Sequence, residues 1–248
     1  MNNPAQQLAD VVSLPARTIG NQANSIASAA TSSFGLFTAT EVDDWGRDNG
    51  IVNRAWQASR LRWRISVGGT EHLPKRAGAL IVVNARRFAL APIFAALSIG
   101  AKVDRPVRFV GRPDVAPLGP VMQRLGGMLA IPREVQSALG AGELVVMGAD
   151  HQNTNRRSGH VDHRLVGAAI LAGVRVLPAA AVSVPVRRSA RVEIGAPIRL
   201  AKKRRGPLDE LETADALEAH IDALLREFGG ALTGTPLDWL PLGGVGDV

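Results

Sequence analysis

The sequence predicts an α/β protein in which a mostly parallel sheet is covered by helices on both faces. From Trp63 to about residue 200, apolar segments of strand length alternate with short helical patterns. Strands that read as continuous apolar runs are typical of parallel sheets buried on both faces. The chain has 248 residues, 46% hydrophobic and 21% charged, which suits one such domain with extensions.

The first 40 residues predict a flexible or weakly helical leader. The stretch NQANSIASAATSS, residues 21–33, has too little periodic hydrophobicity to build a core. From Glu41 the pattern changes, and Trp45, Ile51 and Trp56 recur at roughly helical spacing. Acidic residues at the start of this segment and arginines at its end suit the helix dipole, so we predict a helix between 41 and 63.

The domain is predicted to extend over residues 41–205. Strands are predicted at 63–68, 79–84, 107–111, 128–132, 143–148, 174–183 and 190–195. Further helices are predicted at 92–100, 134–140 and 162–172.

An amphipathic helix is predicted at the C-terminal end of the domain, over residues 206–230, where it packs on the sheet. Its apolar stripe consists of Leu211, Leu217, Ile221, Leu224 and Phe228, and Gly229 and Gly230 end it. Residues 231–248 are expected to form a tail.

The charge pattern favours an anionic partner. Net charge is +7, and basic residues cluster at 60–64, 86–87, 156–157, 187–191 and 202–205. Near an anionic lipid surface each basic residue gains about 1 kcal/mol. Aromatic residues make up 4% of the chain and tyrosine is absent, which disfavours base stacking and hence nucleic acid. We therefore expect an anionic membrane surface, a phospholipid or a phosphorylated small molecule as partner.

Export and membrane spanning are not expected. The N-terminus lacks the basic start and apolar core of a secretory signal, and the longest apolar window is broken by Arg175, Pro178 and Pro185. The absence of cysteine excludes disulfides and thiolate metal sites. We predict a cytoplasmic protein, peripheral on the inner membrane face, with no cofactor and no metal site.

Four blocks of sequence carry a resemblance to a known family. They are VVNARRFALAP at 82–92, RFVGRPDVAPLGPVMQRLGGMLAIPRE at 108–134, ELVVMGADHQ at 143–152 and VRVLPAAAV at 174–182. In their order and spacing they resemble the glycerolipid acyltransferases of the lysophosphatidic acid acyltransferase type, over about residues 41–200. The resemblance implies that family's fold and a role in phospholipid metabolism.

The resemblance also implies a catalytic pair that this chain lacks. In the family a histidine of the first block takes the proton from the attacking hydroxyl, and an aspartate five residues later orients the imidazole. Ala85 and Leu90 occupy these two positions, and Ala149 occupies that of a third-block glutamate. Neither a methyl nor an isobutyl group can move a proton. Asp150 and His151 are the fallback candidates for a relocated base.

Arginines remain as candidate ligands for phosphate or lipid. Arg133 matches the arginine that ends the second block, and a guanidinium binds phosphate bidentately. Arg86 and Arg87 lie in the altered first block, and Arg112 lies in the second, before its Pro-Leu-Gly-Pro stretch.

The cluster GHVDHR, residues 159–164, is a weak metal motif. We expect Asp162 to cap the following helix, with His160 and His163 exposed in its first turn.

Three functions remain open. In the first, the chain is a degenerate acyltransferase that binds lipid, acyl-CoA or an acyl carrier. In the second, it is an active acyltransferase whose base has moved to His151. The third alternative is a non-catalytic scaffold or partner of an active acyltransferase relative.

Overall fold

A computed structural model describes residues 42–85, 90–149, 159–184, 188–199 and 206–227. The described residues form one seven-stranded sheet in the order β1-β7-β6-β2-β5-β3-β4. The strands are β1 (Arg64–Gly68), β2 (Ala79–Asn84), β3 (Val107–Val110), β4 (Gly127–Met128), β5 (Leu144–Ala149), β6 (Arg175–Val184) and β7 (Ser189–Ile194). The helices are α1 (Asn49–Arg62), α2 (Ala91–Val103), α3 (Leu118–Arg124), α4 (Pro132–Gly140), α5 (His163–Ala172) and α6 (Pro207–Glu227).

The sheet is mixed and mostly parallel, which confirms the predicted fold class. All neighbouring pairs among the described strands are parallel except β6 with β7. Strands β1 and β7 therefore run opposite to the other five.

Helices cover both faces of the sheet and bury two hydrophobic cores. One core lies on the α2 side and includes Ile81, Ile99 and Phe109; the other lies on the side of α4, α5 and α6. Strand β2 lies at the centre, between β5 and β6, and its residues Ala79 to Val83 are fully buried. No helix in the described parts of the chain has the length and hydropathy needed to cross a membrane.

Two predicted boundaries were wrong, and one helix was not predicted. Strand β4 has only two residues instead of 128–132, because Pro132 begins α4 at a position where its missing N–H costs nothing. The helix predicted from residue 41 begins at Asn49, where the Asp48 carboxylate caps it by accepting from the N–H of Ile51 at 3.0 Å. The helix without a prediction is α3, at Leu118–Arg124.

The apolar stripe of α6 also differs from its prediction. Ala214, Leu217, Ile221 and Leu225 are buried against the domain, while Leu211 is exposed. Phe228, Gly229 and Gly230, the leader at 1–40 and the tail at 231–248 lie outside the described residues.

A buried ion pair holds the segment before α1 against the sheet. Arg108 on β3 is buried, and its Nη2 donates to Asp43 Oδ2 at 2.6 Å. Glu143 Oε2 lies 3.3 Å from Arg108 Nε, close enough for an ion pair although not aligned as a hydrogen bond. The guanidinium also lies 5.6 Å from the centre of the Trp45 ring. Removing one partner of such a pair leaves a buried charge without compensation.

We predict that Asp43→Asn lowers the free energy of unfolding by about 2 kcal/mol, since Arg108 then keeps a buried charge without its main partner. Asp44→Asn, at an exposed neighbouring position, should change it by less than about 0.5 kcal/mol. Urea unfolding followed by tryptophan fluorescence measures both. Equal stabilities of the two variants would contradict this role of the pair.

Asp162 caps α5, as its sequence position predicts. Its Oδ1 accepts from the N–H of Arg164 at 3.0 Å, and the Arg164 side chain donates to both carboxylate oxygens. Burial by itself would raise the pKa of Asp162, but these hydrogen bonds outweigh it and hold the pKa below the ordinary value of 3.8. The charged carboxylate is therefore the form that stabilises the fold.

Asp162→Ala should lower the free energy of unfolding by about 1 kcal/mol at neutral pH, as expected for a lost cap. Because the folded-state pKa is depressed, this contribution is complete above the unfolded-state pKa and is lost as pH falls through the lower folded value. The stabilities of wild type and variant should thus converge in acid. Urea titrations over a pH series test this, with Asp215→Ala on α6 as control, and a pH-independent difference would refute it.

Candidate functional site

The carboxyl ends of the parallel strands β2, β5 and β3 meet at one edge of the sheet. Ala85 follows β2, Ala149 ends β5, and the Ala85 N–H donates to the Ala149 carbonyl at 3.2 Å. Gly111 and Arg112 follow β3. Open α/β sheets bind ligands at this edge, so it is the candidate site.

Asn84 secures the end of β2 to β6. Its Nδ2 donates to the carbonyl of Ala181 at 3.0 Å, and its Oδ1 accepts from the Ala181 N–H at 2.6 Å. The amide side chain thus extends the pairing of β2 with β6 beyond Val83, the last β2 residue in their backbone register. Its role is to fix the position of the chain entering the site.

Ala85 is buried against β5. A Cβ added at Gly148 would lie 2.7 Å from the Ala85 Cβ and 2.9 Å from Cγ of Pro92. Only glycine at 148 permits this close approach. The methyl group of Ala85 therefore lies on the α2 side of the sheet, next to Pro92.

Leu90 lines a small apolar pocket next to Pro92. The pocket has a volume of about 160 Å³, and its described lining consists of Leu90, Pro92, Ile93, Phe109, Val110, Gly111, Pro113 and Met122. None of these side chains has an imidazole or a carboxyl group. Ala85 lies beside Pro92 but does not line the pocket itself.

Arg112 lies beside this pocket, between two residues that line it. Its side chain is half-buried, and its Nε is inaccessible to solvent and has no hydrogen-bond partner among the described residues. Its one described ion pair, with the exposed Asp114, is long at 3.9 Å. Arg112 itself is not among the described residues that line the pocket.

The other candidate residues have different positions. Arg133 lies in α4, beyond β4, where it is exposed and does not line the pocket; the strand predicted to end there is too short to include it. Arg86, Arg87, Asp150 and His151 lie outside the described residues. Ala149 is fully buried and packs in the core on the α4, α5 and α6 side.

The sequence analysis missed a carboxylate that orients His160. Glu218 on α6 is buried, and its Oε1 accepts from the N–H of Val161 at 3.0 Å and lies 3.2 Å from His160 Nδ1. Its spacing in the sequence could have indicated that it is buried, because Glu218 falls between Ala214 and Ile221 on the buried face of the helix.

This histidine and glutamate do not serve the apolar pocket. Neither His160 nor Glu218 is among the described residues that line it. His160 precedes α5 instead of lying in its first turn as predicted, and its imidazole is largely exposed. Among the described residues no cluster of three metal-binding side chains occurs.

A larger groove lies between α1 and α2, away from the altered motif. Its volume is about 340 Å³, and it reaches Asp104 and Val107 at the amino end of β3. Arg47 lines it, and its Nη1 donates to Asn49 Oδ1. Burial lowers the pKa of Arg47, and the nearby Asp43 charge partly offsets this. This groove and the apolar pocket at the carboxyl edge have no described lining residue in common.

The fold and the edge together define an α/β protein with a mixed, mostly parallel sheet and a small apolar recess at its carboxyl end. No protein-family model matches the chain, and no curated protein matches it. Among solved structures it is similar to the 1-acyl-sn-glycerophosphate (LPA) acyltransferase, PlsC, from Thermotoga maritima. The TM-score is 0.52 at 18% identity, over 74% of this chain and 82% of that chain. The likeness shows an acyltransferase-like fold.

Asn84→Ala should lower the free energy of unfolding by about 2 kcal/mol, because the buried N–H and carbonyl of Ala181 both lose their partner. The amide of Ala181 should also exchange faster with deuterium. Asn53→Ala, at an exposed position of α1, is the control and should leave both measurements unchanged. An unaltered exchange rate at Ala181 would show that Asn84 does not hold this edge.

Proposed function

We propose that the protein binds an anionic lipid, such as a lysophospholipid or an acyl-CoA, as a degenerate acyltransferase that does not transfer the acyl group. The observation behind this proposal is the apolar pocket at the carboxyl edge, where Leu90 lines the wall and Arg112 lies alongside. An apolar recess next to a cation matches a ligand with an acyl chain and a phosphate.

The proposed lack of transfer follows from the chemistry of the edge. A hydroxyl attacks a thioester efficiently only when a base removes its proton in the transition state. Ala85 and Leu90 occupy the two positions that supply the base and its orienting carboxylate in the family, and no described lining residue replaces them. The described imidazole with a carboxylate partner, His160, is not among these lining residues.

The phosphate is assigned to Arg112 in preference to Arg133. Arg112 lies between Gly111 and Pro113 of the pocket wall, whereas Arg133 is exposed on α4. The Nε of Arg112 is closed to solvent, so the ligand phosphate would meet the terminal Nη groups, where the described ion pair of Nη1 with Asp114 is long at 3.9 Å. Hydrogen bonds of this charge-assisted kind are about twice as strong as neutral ones.

Calorimetry with lysophosphatidic acid, and separately with acyl-CoA, tests the proposal on the full chain. We expect saturable binding with no release of free CoA when both ligands are mixed. Arg112→Gln should weaken binding by about tenfold and reduce its dependence on salt, because one charged contact is lost. Ile93→Trp should fill the pocket and weaken binding by a similar factor, whereas Ala101→Trp, in the groove between α1 and α2, should not.

The outcomes separate the three functions. Release of CoA by the wild type would refute the proposal and show that the protein is an active enzyme. Loss of that release in His151→Ala would then identify His151 as the base. Absence of binding to either lipid would leave the scaffold function. Binding that is unaffected by Arg112→Gln and Ile93→Trp would place the ligand elsewhere.

A further inference from the structure

The groove between α1 and α2 is lined by one face of each helix. On α1 the lining residues recur at helical spacing and are Asn49, Val52, Asn53 and Trp56. On α2 they are mostly small and are Ala96, Leu97, Gly100 and Ala101. A helix face opposite small residues ordinarily fills the space with apolar side chains. This face of α1 carries two amides and an indole instead, and a groove of about 340 Å³ stays open beside it.

Arg47, just before α1, brings a buried cation to one end of the groove. Its side chain is 8% exposed, and its Nε is closed to solvent and has no hydrogen-bond partner among the described residues. The one described hydrogen bond of the guanidinium runs from Nη1 to Asn49 Oδ1. Loss of water lowers the pKa of Arg47, and the charge of Asp43 offsets this only in part. An anion that reaches the terminal nitrogens would stabilise this buried charge.

Arg105, the second cation of the lining, is already occupied by the backbone. Its terminal nitrogens donate to the carbonyl groups of four residues, which are Pro74, Arg76, Ala77 and Gly142. Asp104 is exposed and is the one carboxylate among the described lining residues. Arg47 is therefore the described lining cation whose donors are not all used within the protein.

We propose that this groove binds a small anion that carries a flat heteroaromatic ring, of the class represented by a nucleoside monophosphate. The anionic group contacts the terminal nitrogens of Arg47, and the ring packs on the indole of Trp56. The amide of Asn53 hydrogen-bonds the part of the ligand between them. The site goes beyond the proposed lipid binding, because the groove and the apolar pocket have no described lining residue in common.

The spacing of residues along α1 sets the length of this ligand. Asn49, which accepts from Arg47, and Trp56 are seven residues apart, so they are separated by about 10 Å along the helix axis. The anion and the ring must therefore be joined by a spacer of several bonds, as the ribose joins them in a nucleoside monophosphate. The groove volume of about 340 Å³ lies within the roughly 300–1,000 Å³ of sites that hold small ligands.

The remaining chemistry of the lining favours a polar, ring-containing ligand over an aliphatic one. Trp56 is half-buried, and an indole offers a flat apolar surface to a second ring. Asn53 is exposed and has no side-chain hydrogen bond within the described structure, so its amide can both donate and accept. An acyl chain would leave this amide and the guanidinium of Arg47 without new partners.

Fluorine NMR of the full chain labelled with 5-fluorotryptophan locates the ligand. The chain has four tryptophans, and Trp56→Phe identifies the resonance of Trp56. Adenosine 5′-monophosphate should shift this resonance in a saturable manner. Adenosine, which lacks the anion, and ribose 5-phosphate, which lacks the ring, should each bind about tenfold more weakly.

Calorimetry of variants with adenosine 5′-monophosphate tests the assigned contacts. Ala101→Trp fills the groove from an exposed position of α2 and should abolish binding, whereas Ile93→Trp, in the apolar pocket on the same helix, should change it less than about twofold. Asn53→Ala should weaken binding about fivefold. Gln57→Ala removes an exposed amide of α1 outside the described lining and is its matched control.

Arg47→Gln should weaken binding of the monophosphate about tenfold and leave binding of adenosine unchanged, because only the anion contacts this residue. Circular dichroism establishes that each variant is folded. If loss of the buried Arg47 side chain prevents folding, Ala101→Trp and Asn53→Ala, at exposed positions, still decide the inference.

Weaker binding in Ala101→Trp and Asn53→Ala, with both controls unaffected, supports the inference. A wild-type chain that does not bind the monophosphate saturably, or binds adenosine equally well, would overturn it. Loss of binding in Ile93→Trp with normal binding in Ala101→Trp would also overturn it. Lipid binding is measured separately, and there the effects of these two variants are expected to be reversed. A failure of the groove site therefore leaves the proposed function intact, and the reverse also holds.

Discussion

Complete burial of β2 is the constraint on which the rest of the structure depends. Its residues from Ala79 to Val83 have neighbours on both faces and both edges, so they can only be apolar and their backbone groups must pair with β5 and β6. The first polar side chain, Asn84, occurs where the strand ends. Its amide hydrogen-bonds the N–H and the carbonyl of Ala181, as the backbone of one more paired residue would do. The chain therefore reaches Ala85 in a fixed position, and the start of α2 is fixed with it.

The described residues around this point make apolar contacts. A buried imidazole or carboxyl group needs hydrogen-bond partners, whereas a buried methyl or isobutyl group needs only contacts. Ala85 against Gly148 and Pro92, and Leu90 beside Ile93 and Phe109, make contacts of this apolar kind. An acyl chain bound in the pocket would contact this apolar surface. An imidazole and a carboxyl group at the same positions would place polar groups in it.

Apolar and ionic contacts have different roles around the sheet. Near the carboxyl edge, the lining of the apolar pocket draws on both cores, with Phe109 from the α2 side and Val110 from the other side. On the other side, buried charges connect distant segments: Arg108 holds Asp43, and Glu218 holds the chain at His160 and Val161. These buried charges have partners, so they fix the segment before α1 and α6 in place.

The sequence by itself determined most strand positions, the fold class and the helix cap at Asp162. Each of these depends on residues close together in the chain, where periodicity and side-chain chemistry act directly. Only the tertiary structure decided the reversed direction of β7, the pairing of His160 with Glu218 and the bonds between Asn84 and Ala181. Those two contacts join residues 58 and 97 positions apart, and no local pattern reports which distant segment a side chain will meet. The pocket belongs to the same group, because its walls come from three separate segments that only folding brings together.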